Sequence, residues 1–305
     1  SFITCTYNRS QFLSKNIESV LKQKFKNFEH YIVDDGSTDD TKKIIEKYKH
    51  IKYIKLNKNY GQPGAMYYSK VLKKINGDYI MLLDSDDHLL PNVKKIIETT
   101  IAENNEVWSF SFNIVSKNRK KLDFKKEKII NSKYLYSDNH PRYNDGKGFL
   151  DFIDIKKQIF YKKFLKFFKN PKHWYCAAVD VYFKNNFNEV FVNKKIAYYS
   201  FDSDNVTKGN NFNKYAPITL YTRQYLFNKF KNLMEKKYYD YQLKSLIMNQ
   251  FIFPGYKIEN FKLIQKERKK FLNPRNYYLL LFLLLLPSKF LFLLKKLFKK
   301  FRLSR

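Results

Sequence analysis

The chain has 305 residues and a formal net charge of +31, from 59 Lys+Arg against 28 Asp+Glu, and its length allows one large domain or two modest ones with real cores. Hydrophobic residues at 44% and aromatics at 18% exclude wholesale disorder, and 8 Gly and 8 Pro exclude a collagen-like or low-complexity chain. Two cysteines exclude a disulfide framework.

The chain opens on an apolar run, Phe2-Ile3-Thr4-Cys5-Thr6, with neither a Met start nor a signal peptide. It reads as a strand already under way, which suggests that a few residues precede it. Tyr7-Asn8-Arg9-Ser10 is a polar loop, and Phe12, Ile17, Val20 and Leu21 follow at helical spacing. Tyr31-Ile32-Val33 is a second apolar strand, ended by Asp34-Asp35-Gly36-Ser37, and Thr38 or Asp39 can cap a helix running through Tyr48. A third strand covers 51–56. Residues 57–64 form a loop, and a helix through Lys74 leads to the turn signal Asn76-Gly77. Tyr79-Ile80-Met81-Leu82-Leu83 is a fourth strand, ended by Asp84-Ser85-Asp86-Asp87, and Pro91 suits the first turn of the next helix. A strand at 107–115 and a basic connection follow.

Alternating helices and continuous apolar strands predict an α/β fold, a mostly parallel sheet with helices on both faces. Polar loops at the carboxyl ends of such strands are where open α/β sheets take their ligands. Three loops here qualify: 6–9, 34–37 and 84–87. The strongest chemical signal is the acidic crowd of Asp84, Asp86 and Asp87. Like charges so close repel, and a hard divalent cation shared with substrate phosphate would relieve them. A helix cap explains one aspartate there, but not three.

These three stretches, in this order and spacing over about residues 1–115, resemble the family 2 glycosyltransferases of GT-A fold. The resemblance implies an inverting transfer from a nucleotide-sugar, usually a UDP-sugar, with Mg²⁺ or Mn²⁺. It implies that Thr6, Tyr7 and Arg9 line the base pocket and that Asp34 or Asp35 holds uracil or ribose. Asp84 would approach the ribose with Ser85 beside it, and Asp86 would bind the metal on the diphosphate. One departure lies at 59–68, where family members often carry an Arg-Asn pair after the small residue. Here Met66 and Tyr67 follow Ala65, and Lys70 is the available substitute.

Inversion also needs a general base for the acceptor hydroxyl. The family's Glu-Asp-Trp-like motif has its nearest match in Lys172-His173-Trp174, without the acidic pair. His173 is a candidate base or second metal ligand. Asp180 is the carboxylate alternative, with Asp151 and Asp154 weaker. A loop at 202–208 resembles one that family members close over the site, although it also reads as a plain surface loop.

Residues 1–115 are expected to form the nucleotide-sugar half of the GT-A domain and 116–215 the acceptor half. A helical extension follows at 216–272, and then a tail at 273–305. That tail holds ten consecutive apolar residues from Tyr277, then Pro287, then an apolar helical stripe beside lysines; residues 289–305 carry seven basic residues and no acid. A ten-residue helix is ~15 Å long, half of a ~30 Å hydrocarbon core. A segment dipping into one leaflet, followed by a basic amphipathic helix on an anionic surface, fits better than a span. The expected location is the cytoplasmic face of a bacterial inner membrane.

The leading reading is a metal-dependent glycosyltransferase acting on a lipid-linked or surface glycan. More loosely, the tail resembles those of bacterial enzymes that act on undecaprenyl-linked glycans. Two alternatives stand beside it: a non-catalytic UDP-sugar-binding relative, because the usual acidic base is missing, and a basic nucleic-acid-binding protein. No nucleic-acid module is recognisable, and 51 of the 59 basic residues are Lys, as an AT-rich genome would give. The first 100 residues, which carry the motifs, hold 17 basic and 12 acidic residues, so the excess lies downstream.

Overall fold

The computed structural model describes residues 1–105, 107, 109–115, 128–130, 147–151 and 189–200, with scattered positions from 227 to 290. The elements in chain order are β1 (Phe2–Thr6), α1 (Ser10–Leu21), β2 (His30–Asp34), α2 (Thr41–Ile45), β3 (Ile51–Lys55), α3 (Gly61–Tyr68), α4 (Val71–Lys74), β4 (Tyr79–Leu82), β5 (His88–Leu89), α5 (Val93–Glu103), β6 (Ser109–Val115), β7 (Lys128–Ile130), β8 (Lys147–Asp151) and β9 (Glu189–Tyr198). The chain divides into two compact units, residues 1–135 with 139–218, and residues 136–138 with 219–305. In the second unit the described helical positions Phe227, Tyr239, Leu243 and Leu246 are buried, and the rings of Phe227 and Tyr239 lie 5.2 Å apart.

The sheet order is β3-β2-β1-β4-β8-β6-β9-β5, with β7 on β9. The first four strands are mutually parallel, as their unbroken apolar runs predict. β6 and β9 are also parallel, while β8, β5 and β7 join antiparallel.

β2 is buried at all five positions, which requires cover on both faces. On one face Ile32 packs with Leu13 and Ile17 of α1 and Ile45 of α2. Each such side chain contributes about 1.5–3 kcal/mol when fully buried. On the other face Tyr31 donates its hydroxyl hydrogen to the Lys74 carbonyl of α4 at 2.9 Å. A larger core joins Phe2, Met81 and Leu83 to Val93 and Ile97 of α5 and to Phe110, Phe112, Val190 and Val192.

Three elements differ from the sequence reading. α2 stops at Ile45, because the next amides reach back only three residues (Lys47 to Ile44, Tyr48 to Ile45) and tighten the last turn. The helix through Lys74 is two helices, broken where Lys70 takes a left-handed conformation at φ 53°. Pro91 precedes α5 rather than entering its first turn, with Asn92 at φ 61° between them.

Candidate active site

The parallel order β2-β1-β4 sets the loops at 6–9, 34–37 and 84–87 side by side at one edge of the sheet. The first two are knitted together. Asn8 adopts φ 51°, which asparagine tolerates better than most residues. Its amide donates to Ser37 Oγ at 3.0 Å, and its Oδ1 accepts from the Thr38 amide at 2.8 Å. Asp39 accepts the Ser10 amide at 3.0 Å. Gly36 is required twice over: its φ is +81°, and a Cβ there would lie 2.6 Å from the Lys58 carbonyl carbon.

Asp34 is fully buried, and both its oxygens are used by the protein. Oδ1 accepts the Ser37 amide at 2.7 Å and Oδ2 accepts the Tyr53 hydroxyl at 2.6 Å. Burial and that carboxylate hold the Tyr53 phenol well above its ordinary value. Asp35 is also buried, and its Oδ1 accepts the Tyr60 amide at 2.9 Å. Burial pushes its carboxyl up to about 6, against the pull of the Tyr60 and Gly61 amides and with a small push from Asp34.

The loop after β4 is built differently. Burial alternates along it: Leu83, Ser85, Asp87 and Leu89 are buried, while Asp84, Asp86 and His88 are partly exposed, Asp86 by 15% of its side chain. Asp84 Oδ1 accepts from the Gln62 side chain at 3.3 Å. Asp86 lies 3.5 Å from the Arg9 guanidinium. Asp87 turns inward, and its Oδ1 accepts the Ser200 amide at 3.1 Å, at the start of the segment after β9. Ser85, between Asp84 and Asp86 in the chain, is buried.

Of the residues expected at the site, Thr6 is buried at the end of β1 and its hydroxyl has no partner among the described residues, while Tyr7 is 43% exposed. Arg9, expected to line the base pocket, stands against Asp86. Lys70 is exposed. From that same region it is Gln62 that reaches the acidic loop. His173, Asp180, Asp154 and the 202–208 loop lie outside the described residues, as does most of the tail. Asp151 ends β8, in register with Tyr79.

Three further residues shape the site: Tyr53, Gln62 and Asn16, whose amide binds two carbonyls of the acidic loop. Only Asn16 left a trace in the sequence, as a polar residue on the apolar face defined by Leu13, Ile17 and Val20. Among the described residues, no three His, Cys, Asp or Glu side chains gather as a metal cage. The hard-oxygen pair Asp84 and Asp86 fits the other mode, in which one or two carboxylates share a cation with phosphate oxygens and water.

A parallel α/β sheet with adjacent acidic loops at its carboxyl edge is the frame of a nucleotide-binding fold. Residues 1–156 match the glycosyl transferase family 2, and the chain belongs to that family. It is 42% identical over 88 residues to UDP-Glc:alpha-D-GlcNAc-diphosphoundecaprenol beta-1,3-glucosyltransferase WfaP of Escherichia coli, covering 29% of this chain and 35% of that one. It is 34% identical over 116 residues to GalNAc(5)-diNAcBac-PP-undecaprenol beta-1,3-glucosyltransferase of Campylobacter jejuni, covering 37% and 36%. These matches span only about a third of each relative's length. A TarS structure from Staphylococcus aureus, in complex with UDP-GlcNAc, aligns at TM-score 0.55 and 19% identity, over 90% of this chain and 78% of that one. That likeness establishes the GT-A-like fold.

Proposed function

We propose that this chain is an inverting glycosyltransferase that moves a hexose or N-acetylhexosamine from a UDP-sugar to a lipid-linked or surface glycan. The observation that carries the reading is the alternation at residues 84–87, which turns Asp84 and Asp86 outward beside the loops that follow β1 and β2. Family membership supports the reaction class. The named acceptors of the Escherichia coli and Campylobacter jejuni relatives support an undecaprenyl-diphosphate-linked substrate.

In this reading Asp35 and Thr6 meet the base and ribose, and Arg9 leaves Asp86 for the diphosphate. Asp84 and Asp86 would hold Mg²⁺ or Mn²⁺, which when bound offsets the negative charge that grows on the departing nucleotide. His173 or Asp180 takes the acceptor's proton.

The tail docks the enzyme on the cytoplasmic face of the inner membrane. Supporting this, Tyr278, Phe282 and Leu285, spaced four and three apart, are 61, 57 and 81% exposed. Among the described residues no helix is long and apolar enough to cross a membrane. Truncation at Asn273 is expected to abolish pelleting with anionic vesicles, and continued pelleting would refute the docking.

The test of function is a nucleotide-sugar panel read out as UDP release, with and without an undecaprenyl-diphosphate-linked acceptor. Acceptor-dependent release from one UDP-sugar is the expected result. UDP binding with no release from any donor or acceptor would instead mark a non-catalytic relative.

A further inference from the structure

We propose that Asn16 is a positioning residue: from inside the core it fixes the backbone path of residues 84–87 and so aims Asp84 and Asp86 outward. The inference rests on the reading of those two carboxylates as the donor and metal ligands.

Asn16 is fully buried in α1, on the apolar face between Leu13 and Val20. A buried amide in that place costs free energy unless its hydrogen bonds are made. Both Nδ2 hydrogens are used across 68 and 71 residues of sequence: one goes to the Asp84 carbonyl at 3.0 Å and the other to the Asp87 carbonyl at 2.9 Å. The Asp87 amide closes the same turn onto the Asp84 carbonyl at 2.9 Å. Asn16 therefore grips the main chain at both ends of the acidic turn. The side chains between are left to point where the backbone sends them.

The amide is itself held from behind. Its Oδ1 accepts from Thr4 Oγ1 at 3.4 Å, and Thr4 Oγ1 lies 3.0 Å from His30 Nε2. One hydrogen placement serves both contacts: His30 Nε2–H donates to Thr4, and Thr4 donates to Asn16. That placement leaves His30 Nδ1, which has no partner among the described residues, as a bare lone pair rather than a stranded donor. Burial holds the imidazole neutral, with its pKa lowered to about 3. The chain β2–β1–α1–acidic turn is thus a buried polar network in which the Asn16 amide is the last link. Next to it, Ser19 Oγ accepts the Leu89 amide at 2.9 Å and so fixes the exit of the loop.

The test uses the full chain with Asn16→Leu, which removes both donors, and Asn16→Ser, which keeps one and also serves if the Leu variant fails to fold. Three quantities are measured: amide hydrogen exchange, Mn²⁺ affinity from the spin resonance of free Mn²⁺, and UDP affinity with and without Mn²⁺. Expected are exchange about tenfold faster or more at residues 84–89, with residues 30–34 unchanged, and Mn²⁺ affinity lower by about 10–100-fold, with the Ser variant intermediate. UDP affinity without metal should hardly move. Unchanged exchange at 84–89 overturns the proposal, as does a rise spread evenly over the sheet or an unaltered Mn²⁺ affinity. If the parent chain itself takes up no Mn²⁺, the metal reading of Asp86 fails on its own. Exchange at residues 84–89 then decides Asn16, and parent-like exchange there in both variants overturns its role.

Discussion

At the end of β2, Asp34 and Asp35 are buried and face partners from their own chain: the Ser37 and Tyr60 amides and the Tyr53 hydroxyl. At the end of β4, Asp84 and Asp86 stand partly exposed, against the side chains of Gln62 and Arg9, while Asp87 turns in to Ser200. The two loops look alike in sequence, each an aspartate cluster after an apolar strand. Their carboxylates differ in what they are bonded to. Main-chain amides and a half-buried phenol hold Asp34 in a fixed frame, whereas flexible side chains on a partly wet surface can be exchanged for a ligand. Acidity in a loop is therefore weak evidence of a binding role until its partners are known.

Changes in the loop after β4 should alter chemistry, and changes at Asp34 and Gly36 in the loop after β2 should alter the fold. The largest effect is expected from Asp86→Ala. Transfer should fall by about 10³-fold or more if a metal-borne charge term is lost, with a much smaller shift in the thermal midpoint because the Arg9 contact is long, at 3.5 Å. Full activity in that variant would sink the metal assignment.

Gly36→Ala should cost roughly 2–4 kcal/mol in urea unfolding, from left-handed strain plus the collision with Lys58. A parent-like midpoint would mean that the loop can move aside. Asp34→Asn should cost about 1–3 kcal/mol, since it replaces the oxygen that accepts the Tyr53 hydroxyl. An activity loss without any stability loss would reverse the contrast between the loops.

The smallest effect is a change in pH dependence. Asp35 has its carboxyl raised from 3.8 to about 6, so it favours the folded state most below about pH 4, and that contribution is lost as pH rises through 6. His30, lowered from 6.5 to about 3, acts in the opposite direction: its contribution is complete above 6.5 and is lost as pH falls toward 3. Asp35→Asn leaves the histidine unopposed. Its stability should therefore drop more steeply than the parent's between pH 6.5 and 4, as read by denaturant midpoints across that range. Parallel profiles would remove Asp35 from the account.

The strands that frame the site were legible because buried parallel strands must be continuous apolar runs, as Tyr31-Ile32-Val33 and Tyr79-Ile80-Met81-Leu82-Leu83 are. The three polar loops were legible for the same reason, as abrupt ends to those runs. Other features depend on tertiary contact and carry no local periodicity. The break at Lys70 needs a left-handed residue that propensity would not choose. β5 is two residues long and exists because β9 pairs with it. The pairing of Arg9 with Asp86 joins residues 77 apart. Asn16 alone was exposed to sequence reasoning, as a polar intrusion on an apolar helix face, yet nothing in the sequence named its partners.

The grip of Asn16 has a consequence for how this site can change. Its amide reads only main-chain oxygens, the carbonyls of Asp84 and Asp87 that the turn brings together. Side chains within the turn can therefore be exchanged without touching what holds it. A residue added or removed between 84 and 87 would separate two carbonyls that one amide spans, so this loop can vary in chemistry but not in length.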